Sequence, residues 1–261
     1  MGTNENGSQE SAPFVLVETR DHVATQTLNR ADKANCLSEE MMDALDAALL
    51  AADSDGDVRV IVIAARGKIF CAGHDLAQMR AHEDSEYFVR LFARCSALML
   101  NIAHASKPVI ANVQGAAVAA GCQLVASCDL AYAADHAKFG VNGINLGLFC
   151  STPSVALSRV VPPRQALELL LTGQLASASR ALEMGLINSA VPAAELDAKV
   201  HEIAAAIAAK LPDAIALGKD MFRKQRAMNV EDAYAHASAR MVENMGWLET
   251  QQKIDVFLKR H

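Results

Sequence analysis

The residues best suited to chemistry sit in two glycine-bearing stretches. These are Gly67-Lys-Ile-Phe-Cys-Ala-Gly-His-Asp75 and Gln114-Gly-Ala-Ala-Val-Ala-Ala-Gly-Cys-Gln123. Each follows a short β-branched run. Gly67 and Gly73 let the first loop turn tightly and present N–H groups, because glycine tolerates positive φ and close backbone approach. The second loop is expected to run straight from a strand at Val109–Val113 into a helix beginning near Ala120. The first N–H groups of that helix have no partner within it. Two such N–H groups aimed at one oxygen would stabilise an enolate or a tetrahedral oxyanion. Two ordinary strand-to-helix turns have the same pattern, so neither loop alone separates the readings. Gln123 closes the second loop with an amide, where acid–base chemistry would need a carboxylate.

The elements that must position these loops can be read from periodicity and caps. Phe14–Thr19 and Val23–Leu28 alternate around Arg20-Asp21-His22 as a β-hairpin. Ser38, followed by Glu39 and Glu40, opens a helix to about Ala52. Val58–Ala65 and Pro108–Val113 are continuous apolar runs, as in strands buried on both faces. A helix from about Ser85 to Ala105 lies between them, and Glu83, Asp84 and Glu86 suit its positive end. A short apolar helix ends at Cys128, and Asp129–Ala133 forms another short strand. Alternating buried strands and helices predict an α/β fold with parallel pairing.

After Thr152, helices are expected at Pro163–Leu171, Ser177–Met184 and Ala193–Ala209, with a strand at Ile187–Val191. The remainder reads as helical: Asp213–Ala227, Val230–Asn244 and Gly246–Lys259. An all-helical, alanine-rich tail usually packs on a neighbour rather than making its own core.

At 261 residues, with 52% hydrophobic and 21% charged residues, the chain can bury a sizeable core and is not of disordered composition. Its net charge of −6 gives no reason to expect nucleic acid or an anionic membrane surface as partner. The six cysteines show no Cys-x-x-Cys pair and no zinc-like spacing, so no metal is expected and the thiols read as reduced. Residues 1–12 read as a flexible polar tail, neither a signal peptide nor a transit peptide. No run approaches the roughly 20 apolar residues of a membrane span. A bacterial cytoplasm or an organelle matrix is the expected location.

Several segments together resemble one family. Phe70-Cys-Ala-Gly-His-Asp-Leu76, Pro108-Val-Ile-Ala-Asn-Val-Gln-Gly115, Ala120-Gly-Cys-Gln-Leu-Val-Ala-Ser-Cys-Asp129 and Phe139-Gly140 resemble, in order and spacing, the enoyl-CoA hydratase/isomerase (crotonase) family. Leu171-Thr-Gly173 and Ala181-Leu-Glu-Met-Gly-Leu-Ile-Asn188 extend the match. The resemblance runs from about Phe14 to the end. It is closest to an enoyl-CoA-hydratase-domain-containing subgroup that lacks both catalytic glutamates.

The resemblance implies a spiral of ββα units over residues 13–205 and a helical oligomerisation region over 206–261. It implies trimers, often paired into hexamers. The implied ligand is an acyl-CoA thioester, with coenzyme A part of the substrate and no separate cofactor. Carried over by motif, the oxyanion-hole N–H groups belong to His74 and Ala120. Lys33, Ala34, Ala72, Asp75, Leu76 and Asn142 would line the substrate channel.

The chain departs from the family pattern at both carboxylates. Gln123 stands at the first glutamate position and Gly143 at the second, so a standard hydration mechanism lacks its acid and base. Three readings follow: a lyase or isomerase relying on enolate stabilisation, a decarboxylase, or a non-catalytic acyl-CoA-binding protein. His74 contributes either its N–H alone or a side chain that titrates near neutrality. Cys150 is either a nucleophile or a small buried thiol. Asn142 and Asn145 suit turns as well as a site, and Ser151 is a further pocket candidate. Asp129 reads as structural. Lys219, Lys224 and Lys253 are either contacts for CoA phosphates or solvated helix lysines.

Overall fold

The computed structural model describes residues 12–259. The expected flexible tail therefore lies outside the described residues, save Ala12.

The chain opens with a hairpin of β1 (Val15–Arg20) and β2 (Val23–Leu28), paired from Val15↔Leu28 to Arg20↔Val23. Its two turn residues, Asp21 and His22, have φ of 51° and 65°. Positive φ at both positions suits the right-handed twist of the strands. Ser38 then caps α1 (Glu39–Ser54) by accepting from the Met41 N–H at 3.2 Å.

A repeating path follows. β3 (Val60–Ala65) leads through β4 (Ile69–Cys71) to α2 (Leu76–Arg80) and α3 (Ser85–His104). β5 (Val109–Val113) leads through β6 (Ala116–Val118) to α4 (Ala120–Ser127). β7 (Leu130–Ala134) leads through β8 (Lys138–Gly140) to a 3-10 turn at Asn142–Leu146, then α5 (Ser151–Val160) and α6 (Pro163–Thr172). The last turn holds β9 (Ala176–Ser177), α7 (Ala178–Glu183), β10 (Ser189–Val191) and α8 (Leu196–Ala208). The chain ends in α9 (Pro212–Gln225), α10 (Val230–Met245) and α11 (Leu248–Leu258).

In each repeat one strand joins a six-stranded sheet, ordered β1-β2-β3-β5-β7-β10. The next joins a four-stranded sheet, ordered β4-β6-β8-β9. Among the described residues only β1–β2 and β8–β9 pair antiparallel. This is the spiral of ββα units that the family resemblance implied.

Three details differ from the sequence reading. The second glycine loop does not run directly into its helix, because β6 intervenes. β4, β6, β8 and β9 are two or three residues long, too short to carry a period-two signal. α5 was not expected. Its apolar positions are interrupted by Ser154 and Ser158, and Pro153 lies in its first turn, where proline is tolerated.

The central strands of the six-stranded sheet are buried on both faces. On one, Ile61, Ile63, Val109 and Ala111 meet Met41, Leu45 and Leu98 of α1 and α3 in the main core. On the other, Val60, Val62 and Ile110 meet Val200 and Ala204 of α8. Each fully buried Leu, Ile, Val or Met contributes about 1.5–3 kcal/mol. The last three helices, α9 to α11, contain no buried residue. Among the described residues no helix is long and apolar enough to cross a membrane.

Candidate functional site

The first glycine loop is held in shape by the segment after β2. Ala34 and Asn35 adopt left-handed φ of 52° and 50°. Asn35 is fully buried. Its Oδ1 accepts from the Arg30 N–H at 2.9 Å, and its Nδ2 donates to the Arg66 and Ile69 carbonyls at 2.8 Å each. The Ala72 N–H donates to the Ala34 carbonyl at 3.1 Å, and the Leu37 N–H donates to the Gly73 carbonyl at 2.7 Å. Lys33, Ala34, Ala72, Asp75 and Leu76 thus lie along one seam, with Lys33 and Leu76 exposed. Sequence reasoning passed over Asn35, although asparagine's tolerance of left-handed backbone was a signal available in Ala34-Asn-Cys36.

Asp75 caps α2, accepting from the Ala77 and Gln78 N–H groups at 2.9 and 3.1 Å. The Gln78 N–H in particular holds its carboxyl below the ordinary carboxylate value, with burial opposing. The Cys36 thiol donates to Asp75 at 3.5 Å, and burial together with that carboxylate pushes it up to about 11.

The second loop presses against the first. Gly73 has φ +91°, and a methyl group there would lie 2.9 Å from Ala119 Cβ and 3.2 Å from Ala120 N. A methyl on Gly121 would lie 2.2 Å from the Cys71 carbonyl oxygen. Ala119 adopts φ 49°, ψ −121°, a conformation that strains a residue with a β-carbon. Its N–H donates to the Gly140 carbonyl at 2.8 Å, and its own carbonyl accepts from the Gln123 N–H at 3.1 Å. These bonds fix the start of α4, whose leading N–H groups, Ala120 first, have no acceptor one turn earlier in the helix.

His74 follows Gly73. Its ring meets Phe92 edge-on at 5.6 Å, and neither ring nitrogen completes a hydrogen bond of good geometry among the described residues. Burial lowers its imidazole below the ordinary histidine value, and the nearby Leu37 backbone only partly opposes this. A buried, depressed histidine is neutral at pH 7.

Neither Gln123 nor Gly143 carries a side chain that titrates. Gln123 is 4% exposed, and its Oε1 has no hydrogen-bond partner among the described residues. Gly143 lies in the 3-10 turn with half-buried Asn142 before it, and its N–H donates to Cys150 Sγ at 3.3 Å. Burial raises the Cys150 thiol, which favours the small-buried-thiol reading over the nucleophile. Asn145 donates to the Gly173 carbonyl at 3.2 Å, the contact of a turn residue. Ser151 is exposed at the start of α5.

Asp129, Lys219, Lys224 and Asp84 have structural partners. Asp129 accepts from the Val109 N–H at 2.8 Å and pairs with Lys219 at 2.6 Å. Lys219 also donates to the Lys107 carbonyl, so it ties α9 to the body of the fold. Lys224 pairs with Asp220 along its own helix. Lys253 is exposed and lines an open surface hollow with Arg59 and Lys210. Asp84 caps α3, accepting from the Tyr87 N–H at 2.6 Å, while Glu83 and Glu86 are exposed.

The chain is similar in sequence and fold to known proteins. The human mitochondrial enoyl-CoA hydratase domain-containing protein 3 is 41% identical over 255 residues, covering 97% of this chain and 84% of that protein. Its crystal structure superposes with a TM-score of 0.92 at 40% identity, covering 95% of this chain and 98% of that one. An enoyl-CoA hydratase structure from Mycobacterium smegmatis reaches a TM-score of 0.94 at 46% identity, covering 96% and 98%. Residues 18–260 match the family model described as enoyl-CoA hydratase/isomerase, and this chain belongs to that family.

Proposed function

We propose that this protein binds an acyl-CoA thioester, with the thioester oxygen between the His74 and Ala120 N–H groups, and acts by stabilising an enolate. The contact of Gly73 with Ala119 and Ala120 carries this reading, since it brings the two donor-bearing loops together with strained backbone on one side. Preorganised donors of this kind need not reorganise as charge develops. Calorimetry with acetyl-CoA and crotonyl-CoA tests binding, and no saturable heat with either would refute it. Hydration of crotonyl-CoA should be at least about a thousandfold below that of a two-glutamate enzyme, because general acid and general base each contribute about 10²–10⁴.

Decarboxylation is the reaction that this set of groups supports best. As the bond between Cα and the carboxylate breaks, its electron pair enters the thioester as an enolate, so no base is required. Water then returns a proton to carbon. Release of CO2 from malonyl-CoA or methylmalonyl-CoA is the readout. Saturable binding without product from either substrate would instead favour a non-catalytic acyl-CoA-binding protein.

The helical end of the chain completes the proposal. Phe222, Tyr234, Met241 and Val242 are each at least 60% exposed in the single chain, an apolar face suited to a second and third copy. Light scattering should give a trimer or hexamer, and a monomer at micromolar concentration would remove this part.

A further inference from the structure

The Ile69 carbonyl, at the first residue of β4, accepts from two side-chain amides at once. Asn35 Nδ2 reaches it at 2.8 Å from the segment after β2. Gln114 Nε2 reaches it at 3.3 Å from the stretch that leads into β6. Each amide also takes a second carbonyl just before β4: Asn35 donates to Arg66 at 2.8 Å and Gln114 to Gly67 at 3.1 Å. The pairing of β4 with β6 is irregular at this point. β4 takes two steps, Ile69 to Cys71, where β6 takes one, Ala116 to Ala117. A bulge of this kind leaves backbone groups outside the ladder, and the two amides bring donors to that stretch. The approach is close as well, since a methyl group on Gly115 would run into the Lys68 carbonyl oxygen.

Both amides belong to segments that continue to a proposed donor. Around Asn35 the chain braces the first glycine loop. The Ala34 carbonyl accepts from the Ala72 N–H at 3.1 Å, the Leu37 N–H donates to the Gly73 carbonyl at 2.7 Å, and Leu37 bridges His74. Asn35 is itself anchored at the end of β2. Its N–H donates to the Arg30 carbonyl at 2.9 Å, and its Oδ1 accepts from the Arg30 N–H at 2.9 Å. From Gln114 the chain runs through β6 to Ala119 and Ala120 at the start of α4.

We propose, resting on the acyl-CoA reading above, that Asn35 and Gln114 are positioning residues for that site. Their amides hold the bulged start of β4 between them and so fix the His74 N–H relative to the Ala120 N–H. Both act through the backbone rather than on the thioester itself. Two donors polarise one oxygen only when each lies about 2.7–3.1 Å from it, so their separation must be set in advance.

The readout is the C=O stretch of acetyl-CoA bound at saturation to the full-length protein, by difference infrared spectroscopy. In the parent chain the two donors should move this band to lower frequency than in free acetyl-CoA. Asn35→Gly removes one amide, and glycine adopts the φ of 50° found there without a β-carbon to strain. Gln114→Leu removes the other. Each variant should lose about half or more of the band displacement while still unfolding cooperatively. A residue that only stabilises the fold would lower the unfolding midpoint and leave the bound thioester's band where it was. A full displacement in either folded variant therefore overturns the proposal. Gln114→Leu, at a half-buried position, decides alone if Asn35→Gly does not fold. No binding by the parent chain, or an undisplaced band in it, would overturn the acyl-CoA reading and this proposal with it.

Discussion

The Gly143 N–H donates to Cys150 Sγ at 3.3 Å, and a β-carbon on Gly143 would lie 2.8 Å from that sulfur and 2.5 Å from the Leu148 carbonyl oxygen. A side chain at Gly143, where the family resemblance puts a second glutamate, would therefore meet backbone from its first carbon onward. Gly143→Ala should destabilise the fold by about 1–3 kcal/mol, the usual range for overpacking. The double variant Gln123→Glu, Gly143→Glu should gain no hydratase activity over the parent chain. Adding Cys150→Ala should not rescue it, since the Leu148 carbonyl stays in place. Chemical denaturation and a crotonyl-CoA assay check these outcomes, and robust hydration by the double variant would show that the turn opens readily.

Gly73 and Ala119 carry opposite expectations. Gly73→Ala meets both a φ of +91° and Ala119 Cβ, so it should cost about 2–4 kcal/mol of stability and weaken CoA-thioester binding by at least tenfold. Ala119→Gly relieves an unfavourable conformation and should be neutral or stabilising by up to about 1 kcal/mol. Thermal unfolding of the two variants with and without crotonyl-CoA separates the effects. Equal behaviour of the pair would argue against close packing of the loops.

His74 makes stability depend on pH. Its folded value is lowered by burial, whereas the unfolded chain titrates near 6.5. The unfolded state therefore binds more protons as pH falls below that value. The contribution of His74 is fully present above about pH 7 and is lost as pH drops through 6.5 toward the folded value. His104 shifts in the same direction, chiefly by burial, so the comparison must be with His74→Gln. That variant should flatten the slope of unfolding free energy between pH 7 and 5 while leaving thioester binding intact, because the backbone N–H is retained. An unchanged slope would place the ring in solvent.

Lys219 and Asp129 form a pair at 2.6 Å, with side chains 12% and 28% exposed. Lys219→Met should cost roughly 3 kcal/mol, since it leaves Asp129 partly buried with only the Val109 N–H and no cation. Lys219→Met with Asp129→Leu should lose less than the sum of the two single changes. A double-mutant cycle measures this coupling. Additive losses would mean that the two side chains act separately. A smaller proportion of the proposed assembly in Lys219→Met would show that the pair orients α9 for it.

The two glycine loops, the hairpin, α1 with its Ser38 cap and the buried runs at β3 and β5 were all legible in the residues. Their signals are local: periodicity, caps and glycine each act within a few positions. Gln123 and Gly143 were legible as the positions that motif spacing marks for attention. The four-stranded sheet was not, because strands of two or three residues gain definition only from pairing with distant neighbours. Asn35 left a local hint in its tolerance of left-handed backbone, but its bonds to Arg66 and Ile69 span more than 30 residues and only the fold reveals them. Only tertiary structure showed that Gly73 abuts Ala119, that Cys150 and Leu148 fill the space beside Gly143, and that Lys219 turns inward to Asp129. Residue identity determined which groups are available to the site. Long-range packing decided which of them meet, and where no further side chain fits.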